Sequence, residues 1–461
     1  MFRSIINTFV NCFKIEELRS RIWFTVVVLA ICRLEAYITI PGLDAKALQD
    51  YSAQISSSSN SPLALYGMFT GGAYEYGAIG ALGIMPYITA TIVMQLLTAV
   101  IAPLSKLARE EGGRVQIMKY SRYMTVVICL GQAFFMALMW EKPSSMPGFD
   151  QFHGKLVIYD NLWWFRFQTM IILSVGTLLL MWLGEQITER GIGNGVSLVI
   201  TIGILARLPQ AGQGIIDMFK SGSNFNFGNA IVLVVLLVGV VAGVIAMTQA
   251  QRKIPVQYAQ RAVGRKIYSG GTSYLPLRLN FSGVMPIIFA GAVLMVPGLI
   301  LPQLNSKFGW HWAASLASEL NRTGFLYLFL YGLMILFFSY FWTATQFNEL
   351  QIADDLKKNG GYVPGVRPGP ATSGYLHNAM SRITLAGAIC LTLIAVIPYL
   401  LQGQMNVPSY VAQFFGGTSL LITVGVMLDT MRQMETHLLM RHYDGFLKGG
   451  RGGGPRLRGR L

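Results

Sequence analysis

Long apolar runs broken by short polar stretches recur along the entire chain. A helical run of about 20 residues covers the roughly 30 Å hydrocarbon core of a bilayer. Ten runs fit that length or come near it: residues 22–40, 83–101, 120–140, 166–183, 196–208, 228–248, 284–301, 325–345, 383–401 and 414–431. The fifth is the shortest. The pattern predicts an all-α, polytopic membrane protein of ten transmembrane helices, arranged as two five-helix halves.

Composition agrees, because 53% of the 461 residues are hydrophobic and 12% are charged, against roughly 25% charged in soluble domains. The formal net charge of +15 could suggest a nucleic-acid partner, but the basic residues follow the map of runs. Most Lys and Arg lie at the N-terminus, after the even-numbered runs, and at the C-terminus, which by the positive-inside rule puts both ends in the cytoplasm. Residues 1–21 lack an apolar core followed by a small-residue cleavage site and do not read as a removable signal. Ile5, Ile6, Phe9, Val10 and Phe13 recur there at helical spacing, as in an interfacial helix. The expected organisation is an interfacial segment 1–21, an N-terminal half 22–208, an outer connecting loop 209–227, a C-terminal half 228–431 and a basic tail 432–461.

One internal echo organises the two halves. Gly83-Ile84-Met85-Pro86 opens the second run and Gly283-Val284-Met285-Pro286 opens the seventh. These runs hold corresponding positions in the two halves with opposite orientation, the signature of an inverted repeat. Proline in a first helical turn sacrifices no hydrogen bond, so each helix begins within the membrane. Irregular backbone at that depth is tolerated only where it is buried in protein or lines a watery cavity, which sets both motifs beside a central passage. Ile84 and Ile88 lie one turn apart, as do Val284 and Ile288, and each pair points the same way. A narrow aliphatic ring of this kind resists ion leak by dewetting. Just before the first motif, residues 69–80 are too short and too glycine-rich to span. They form either a re-entrant segment that obstructs the passage from outside or an ordinary outer loop.

Two cytoplasmic loops are long and basic: residues 249–280, with Arg252, Lys253, Arg261, Arg265, Lys266 and Arg278, and residues 348–382, with Lys357, Lys358, Arg367 and Arg382. Topology alone explains the charge. The length and the alternation of Val256, Tyr258, Ala262, Ile267 and Tyr268 predict folded, protruding structure suited to docking. The Gly- and Arg-rich tail beyond Lys448 has the composition of a disordered segment, with electrostatic attraction for anionic lipid or RNA.

Catalytic chemistry is hard to find. No GxxxxGK[ST] loop exists. The five histidines form no HExxH pair, and Cys12, Cys32, Cys129 and Cys390 are scattered, so no cofactor, metal or disulfide framework is expected. An ion-coupled transporter buries acidic groups at mid-depth, and such groups are nearly absent. Arg33 and Glu35, at i, i+2, do not face each other on a helix, and Glu185, Glu189 and Arg190 read as a structural ion network. The pattern fits a passive conduit better than a solute transporter or an inert scaffold.

Two stretches carry a resemblance. Residues 78–97, AIGALGIMPYITATIVMQLL, and residues 182–200, WLGEQITERGIGNGVSLVI, resemble the two signatures of the SecY family of protein-conducting channel subunits. Ile40-Pro41-Gly42-Leu43-Asp44, Val363-Pro364-Gly365-Val366-Arg367-Pro368-Gly369 and the stretch from Phe415 to Ile422 match as well. The resemblance implies a channel that passes unfolded polypeptides and releases apolar segments sideways into lipid. It implies a constriction ring of Ile84, Ile88, Val196, Ile200, Ile288 and Ile422, and a plug over residues 65–78 that includes Phe69, Thr70, Gly71, Gly72, Ala73 and Tyr74. It implies a lateral gate between the second and third helices and the seventh and eighth, bordered by Thr91 and Gln95. The basic loops become a docking site for the SecA motor or the ribosome through Arg265, Lys266, Lys357, Lys358 and Arg367. Partner subunits SecE and SecG, signal peptides, nascent chains and membrane lipids are implied too, in a bacterial inner membrane. Four departures stand out: Val196 where isoleucine is usual, Thr248 in place of a common glutamate, Pro255 interrupting an expected apolar strand, the last two predicting a different bend at the tip of that loop, and a long Arg-Gly tail.

Overall fold

The computed structural model describes residues 15–50, 70–141, 155–220, 227–291, 324–405 and 418–449, apart from a few positions within them, with isolated residues between. The helices are α1 (Glu16–Glu35), α2 (Met85–Val100), α3 (Ala102–Arg109), α4 (Gly113–Glu141), α5 (Leu162–Arg190), α6 (Gly195–Leu205), α7 (Leu208–Lys220), α8 (Phe227–Gln249), α9 (Phe325–Gln346), α10 (Glu349–Lys358), α11 (Pro370–Met405) and α12 (Thr418–Gly449). The seventh predicted run is helical over 285–291, and much of its remainder lies outside the described residues.

Seven helices among the described residues are long and apolar enough to cross a membrane by themselves, rather than ten. The differences have local causes. Helix α1 carries Glu16, Glu17, Arg19 and Arg21 at one end and Arg33 and Glu35 at the other, which leaves a short apolar middle. Helix α12 runs from an apolar start through Asp429, Arg432 and Glu435, and the seventh run is only partly described.

Several boundaries also differ from expectation. Residues 16–21 belong to α1, with residues 1–14 outside the described part. Residues 38–40 leave the first helix and pair with residues 77–79: Ile79 N–H donates to the Ile38 carbonyl at 2.8 Å and Ile40 N–H to the Gly77 carbonyl at 2.9 Å. Part of the supposed outer loop 209–227 is α7, whose Ile215 and Met218 sit at i, i+3 against Leu233, Val411 and Ala412. Helix α12 continues through Gly449 into the predicted tail, of which residues 450–461 lie outside the described part.

The helices assemble as two packed groups. In the first, α5 is central and touches α1, α4 and α6, while α2 packs on α4. In the second, α11 packs on α9 and α8, and α8 on α12. The contact of α12 with α6 joins the groups. Ion pairs fasten the ends of α4 and α5: Arg166 grips both oxygens of Glu141 at 2.6 to 2.9 Å, and Arg122 reaches both oxygens of Glu185 at 2.9 to 3.0 Å.

The two basic loops form one platform. Strand β1 (Gln251–Tyr258) pairs antiparallel with β4 (Thr272–Arg278), and β5 (Gly361–Tyr362), from the second loop, adds to the other edge of β1 opposite Gln257 and Tyr258. A smaller hairpin, β2 (Arg261–Val263) with β3 (Lys266–Tyr268), caps it. Pro255 does not interrupt β1, contrary to expectation. It lies opposite Tyr274 where β5 does not reach, and an open strand edge tolerates a residue without an N–H. Ile254 and Leu277 seat the sheet on Phe347, Val363, Leu376 and Met380.

Candidate functional site

The two echoing motifs fold alike. Gly83 has φ 58° and Gly283 has φ 66°, the left-handed region that glycine enters without penalty. Proline follows three residues later, within the first helical turn in both. The first turns close in the same way, with Ile88 N–H donating to the Ile84 carbonyl at 3.2 Å and Ile288 N–H to the Val284 carbonyl at 3.4 Å. Each glycine thus turns the chain abruptly into a helix whose first apolar residues face inward.

Those residues meet. Ile84 and Ile88 from the start of α2, Ile200 from α6, Ile288 from the 285–291 segment and Ile422 from α12 lie in one apolar cluster, with Val196 half-buried against it. The five isoleucines are 3% to 8% exposed. Asn194 caps α6 by accepting from Ser197 N–H, and the preceding loop is tied on two sides: Ile192 N–H donates to Thr25 Oγ1 at 3.1 Å, and Gly193 N–H to Gln433 Oε1 at 2.9 Å. Val196 and Ile200 are therefore held from α1 and α12 at once. The cluster also takes in Val199, Trp342 and Val426, which the sequence reading did not single out.

Thr70 to Tyr74 are buried, with Thr70 and Ala73 beside Ile84 and Ile200 and Tyr74 packed among Trp140, Phe165 and Leu173; Phe69 lies outside the described residues. Gly71 adopts φ 62° and comes so near α6 that a Cβ on it would stand 2.8 Å from Gly203 Cα, so this part of the segment packs directly on α6. The segment is tied to its walls by charge. Both terminal nitrogens of Arg33 donate to the Gly71 carbonyl at 3.2 Å, and Arg207 Nη2 lies 2.7 Å from Glu75 Oε1. Tyr74 is 2% exposed, its ring stacked 6.4 Å from that of Trp140. Beside Thr70 and Ala73 lies a cavity of about 30 Å³, lined also by Arg33, Glu35, Gly83, Ile84 and Ile200 among others, room enough for a water molecule. Glu35 is 6% exposed and its carboxylate accepts no hydrogen bond among the described residues. Sequence reading missed the Glu75–Arg207 pair. A lone acid in a glycine-rich stretch and a lone base at the outer end of the fifth run were the available signal.

Thr91 donates to the Tyr87 carbonyl at 2.9 Å and Gln95 is half-buried, both on α2. Across the 285–291 segment and α9, Phe289 packs on Phe338 and Trp342 with ring centroids 5.1 and 5.8 Å apart. Lys357 and Lys358 are exposed in the last turn of α10, where the helix dipole favours cations. Arg367 is exposed in the loop after β5. Lys266 lies in β3, and Arg265 is outside the described residues.

An apolar waist shared by two helical groups, with a folded-back segment packed beside it and a basic sheet platform beyond the helix ends, belongs to a membrane channel. The fold matches a solved protein-conducting channel with a TM-score of 0.58 over 90% of this chain and 91% of that one, at 16% identity. It also matches the channel of a canine ribosome–channel complex from the endoplasmic reticulum, with a TM-score of 0.55 over the same shares and at the same identity. The SecY family profile covers residues 78–431. The protein translocase subunit SecY of Chlamydia trachomatis is 40% identical over 95% of this chain and 97% of its own length. The chain belongs to the SecY family.

Proposed function

We propose that this protein is the channel subunit of a bacterial Sec translocon, passing unfolded secretory polypeptides through the waist and releasing apolar segments sideways into the bilayer. The observation that carries the reading is the meeting of Ile84, Ile88, Ile200, Ile288 and Ile422, drawn from four segments of both halves, in one buried cluster with Val196 at its edge. A ring of branched aliphatic side chains excludes water while closed. It also yields to a chain pushed through it, since nothing but dispersion and apolar contact holds it shut.

Residues 70–78 act as the plug on the outer side. The seam between α2 and α4 on one side and the 285–291 segment with α9 on the other acts as the lateral gate, bordered by Thr91 and Gln95. The sheet platform, with Arg265, Lys266, Lys357, Lys358 and Arg367, receives the driving partner. That partner is the SecA ATPase or the ribosome, because the sequence has no P-loop of its own. SecE and SecG complete the complex, in an inner membrane with both termini cytoplasmic.

Photo-crosslinking probes at Ile88, Ile288 and the lipid-facing Ile389 test this with an arrested, signal-bearing precursor. Crosslinks at Ile88 and Ile288 and none at Ile389 are expected. Crosslinks confined to Ile389, or solute uptake by vesicles without any motor, overturn the reading.

A further inference from the structure

The folded-back segment 70–78 is held to the wall by backbone pairing, with Ile40 N–H donating to the Gly77 carbonyl at 2.9 Å, and by two charged side chains. Glu75 lies 2.7 Å from Arg207, and the two side chains are only 15% and 11% exposed. Arg207 sits at the break between α6 and α7, directly after the helix that supplies Val196 and Ile200. Arg33 holds the other end of the segment through the Gly71 carbonyl and also lies 5.8 Å from the Tyr37 ring centre, which fixes its direction. The segment is thus pinned at Gly71 by α1 and at Glu75 by the end of α6.

A charge pair so little exposed differs from a surface ion pair. Removing one partner leaves the other charge poorly solvated, a loss far larger than for an exposed pair. Moving the segment out of the passage separates Glu75 from Arg207 and must first rehydrate both. The apolar contacts of Ala73 and Ala78 are small, because alanine has little side chain to bury, whereas Tyr74, 2% exposed beside Trp140, is the segment's one large apolar anchor and lies between the two charged contacts.

We infer that the Glu75–Arg207 ion pair is the latch that keeps the segment 70–78 seated against the waist, with the Arg33 grip on Gly71 as its second point. This inference rests on the plug reading above. The latch makes displacement all-or-none. A passing chain must break the pair, after which Arg207 stands at the outer mouth as an unpaired cation able to take Glu75 back.

The test uses the full chain in its complex, reconstituted in vesicles and planar bilayers, with Ala73→Cys as reporter and the four native cysteines replaced. Ala73 is 1% exposed, so a membrane-impermeant maleimide added outside reacts only when the segment leaves its seat. Glu75→Gln and Arg207→Gln should each raise the labelling rate about tenfold or more, from the loss of a largely buried pair. The exchange Glu75→Arg with Arg207→Glu should bring it back toward the parent. Unchanged labelling in Glu75→Gln, or an exchange variant no slower to label than the single variants, overturns the latch. Gly71→Val separates this from the plug reading, since its side chain would collide with Gly203 and the Arg33 guanidinium and unseat the segment whatever the ion pair does. Higher resting conductance in Gly71→Val with unaltered labelling in Glu75→Gln keeps the plug and removes the latch. Faster labelling in Gly71→Val and Glu75→Gln without higher conductance in either keeps the latch and removes the plug.

Discussion

Shortening Ile288 to alanine separates an apolar seal from a merely apolar surface. Ile288 is 8% exposed and its neighbours include Ile84, Ile88 and Ile422 in the same cluster. The change removes three carbons, worth about 0.8 kcal/mol each when buried, or about 2.4 kcal/mol that holds the waist closed and dry. At about 1.4 kcal/mol per factor of ten, this is an upper limit of about 50-fold on the population of the wetted state. Partial collapse of neighbours into the gap lowers it, so a rise of about five- to fifty-fold in resting conductance across planar bilayers is expected. Alanine also keeps the helix propensity high, so the helix itself is not weakened. The matched control is Ile389→Ala on α11, where the side chain is 47% exposed and outside the cluster, and conductance should stay at the parent level. A change of less than twofold in Ile288→Ala, or an equal rise in Ile389→Ala, refutes the reasoning.

Arg166→Met should lower the thermal stability of the purified complex by about 3 kcal/mol or more, because Glu141, 9% exposed, keeps its charge without a partner; adding Glu141→Leu should recover much of the loss, as read by thermal unfolding in detergent. Arg122→Met at the opposite end of the same helix pair should cost no more than about 1 kcal/mol, since Arg122 is 45% exposed and water replaces its partner. Arg367→Glu should cut motor-driven precursor uptake severalfold while vesicles still hold their ion gradient, because a like charge now faces an acidic docking surface; uptake at the parent rate would remove Arg367 from the docking surface.

The parts of the fold that were legible in the sequence are those set by one-dimensional patterns. Run length placed the helices, and the Gly-Met-Pro echo placed Ile84, Ile88, Val284 and Ile288 on corresponding first turns. Val196, Ile200 and Ile422 gave no signal of their own, because they sit in stretches where nearly every residue is apolar and no periodicity marks the inward face. They entered through family resemblance alone. The charged contacts were illegible for a different reason. Arg207 and Glu75 are 132 positions apart and Arg122 and Glu185 are 63 apart, and no local rule links residues that meet only after the bundle has closed. The pairing of β5 with β1 was hidden in the same way, since a strand of two residues has no alternation to read. Pro255 misled because the sequence does not state which strand edge lacks a neighbour.

The shared sheet has a mechanical consequence. Because β5 is stitched to β1, the two basic loops cannot be pushed separately, and whatever grips either one turns both as a single rocker arm. The arm is rooted in α8, which ends at Gln249 just before β1, and α8 lies along α12, the helix that carries Ile422. A thrust on the sheet is therefore passed through α8 to the helix that holds Ile422, and the loops serve as a drive shaft.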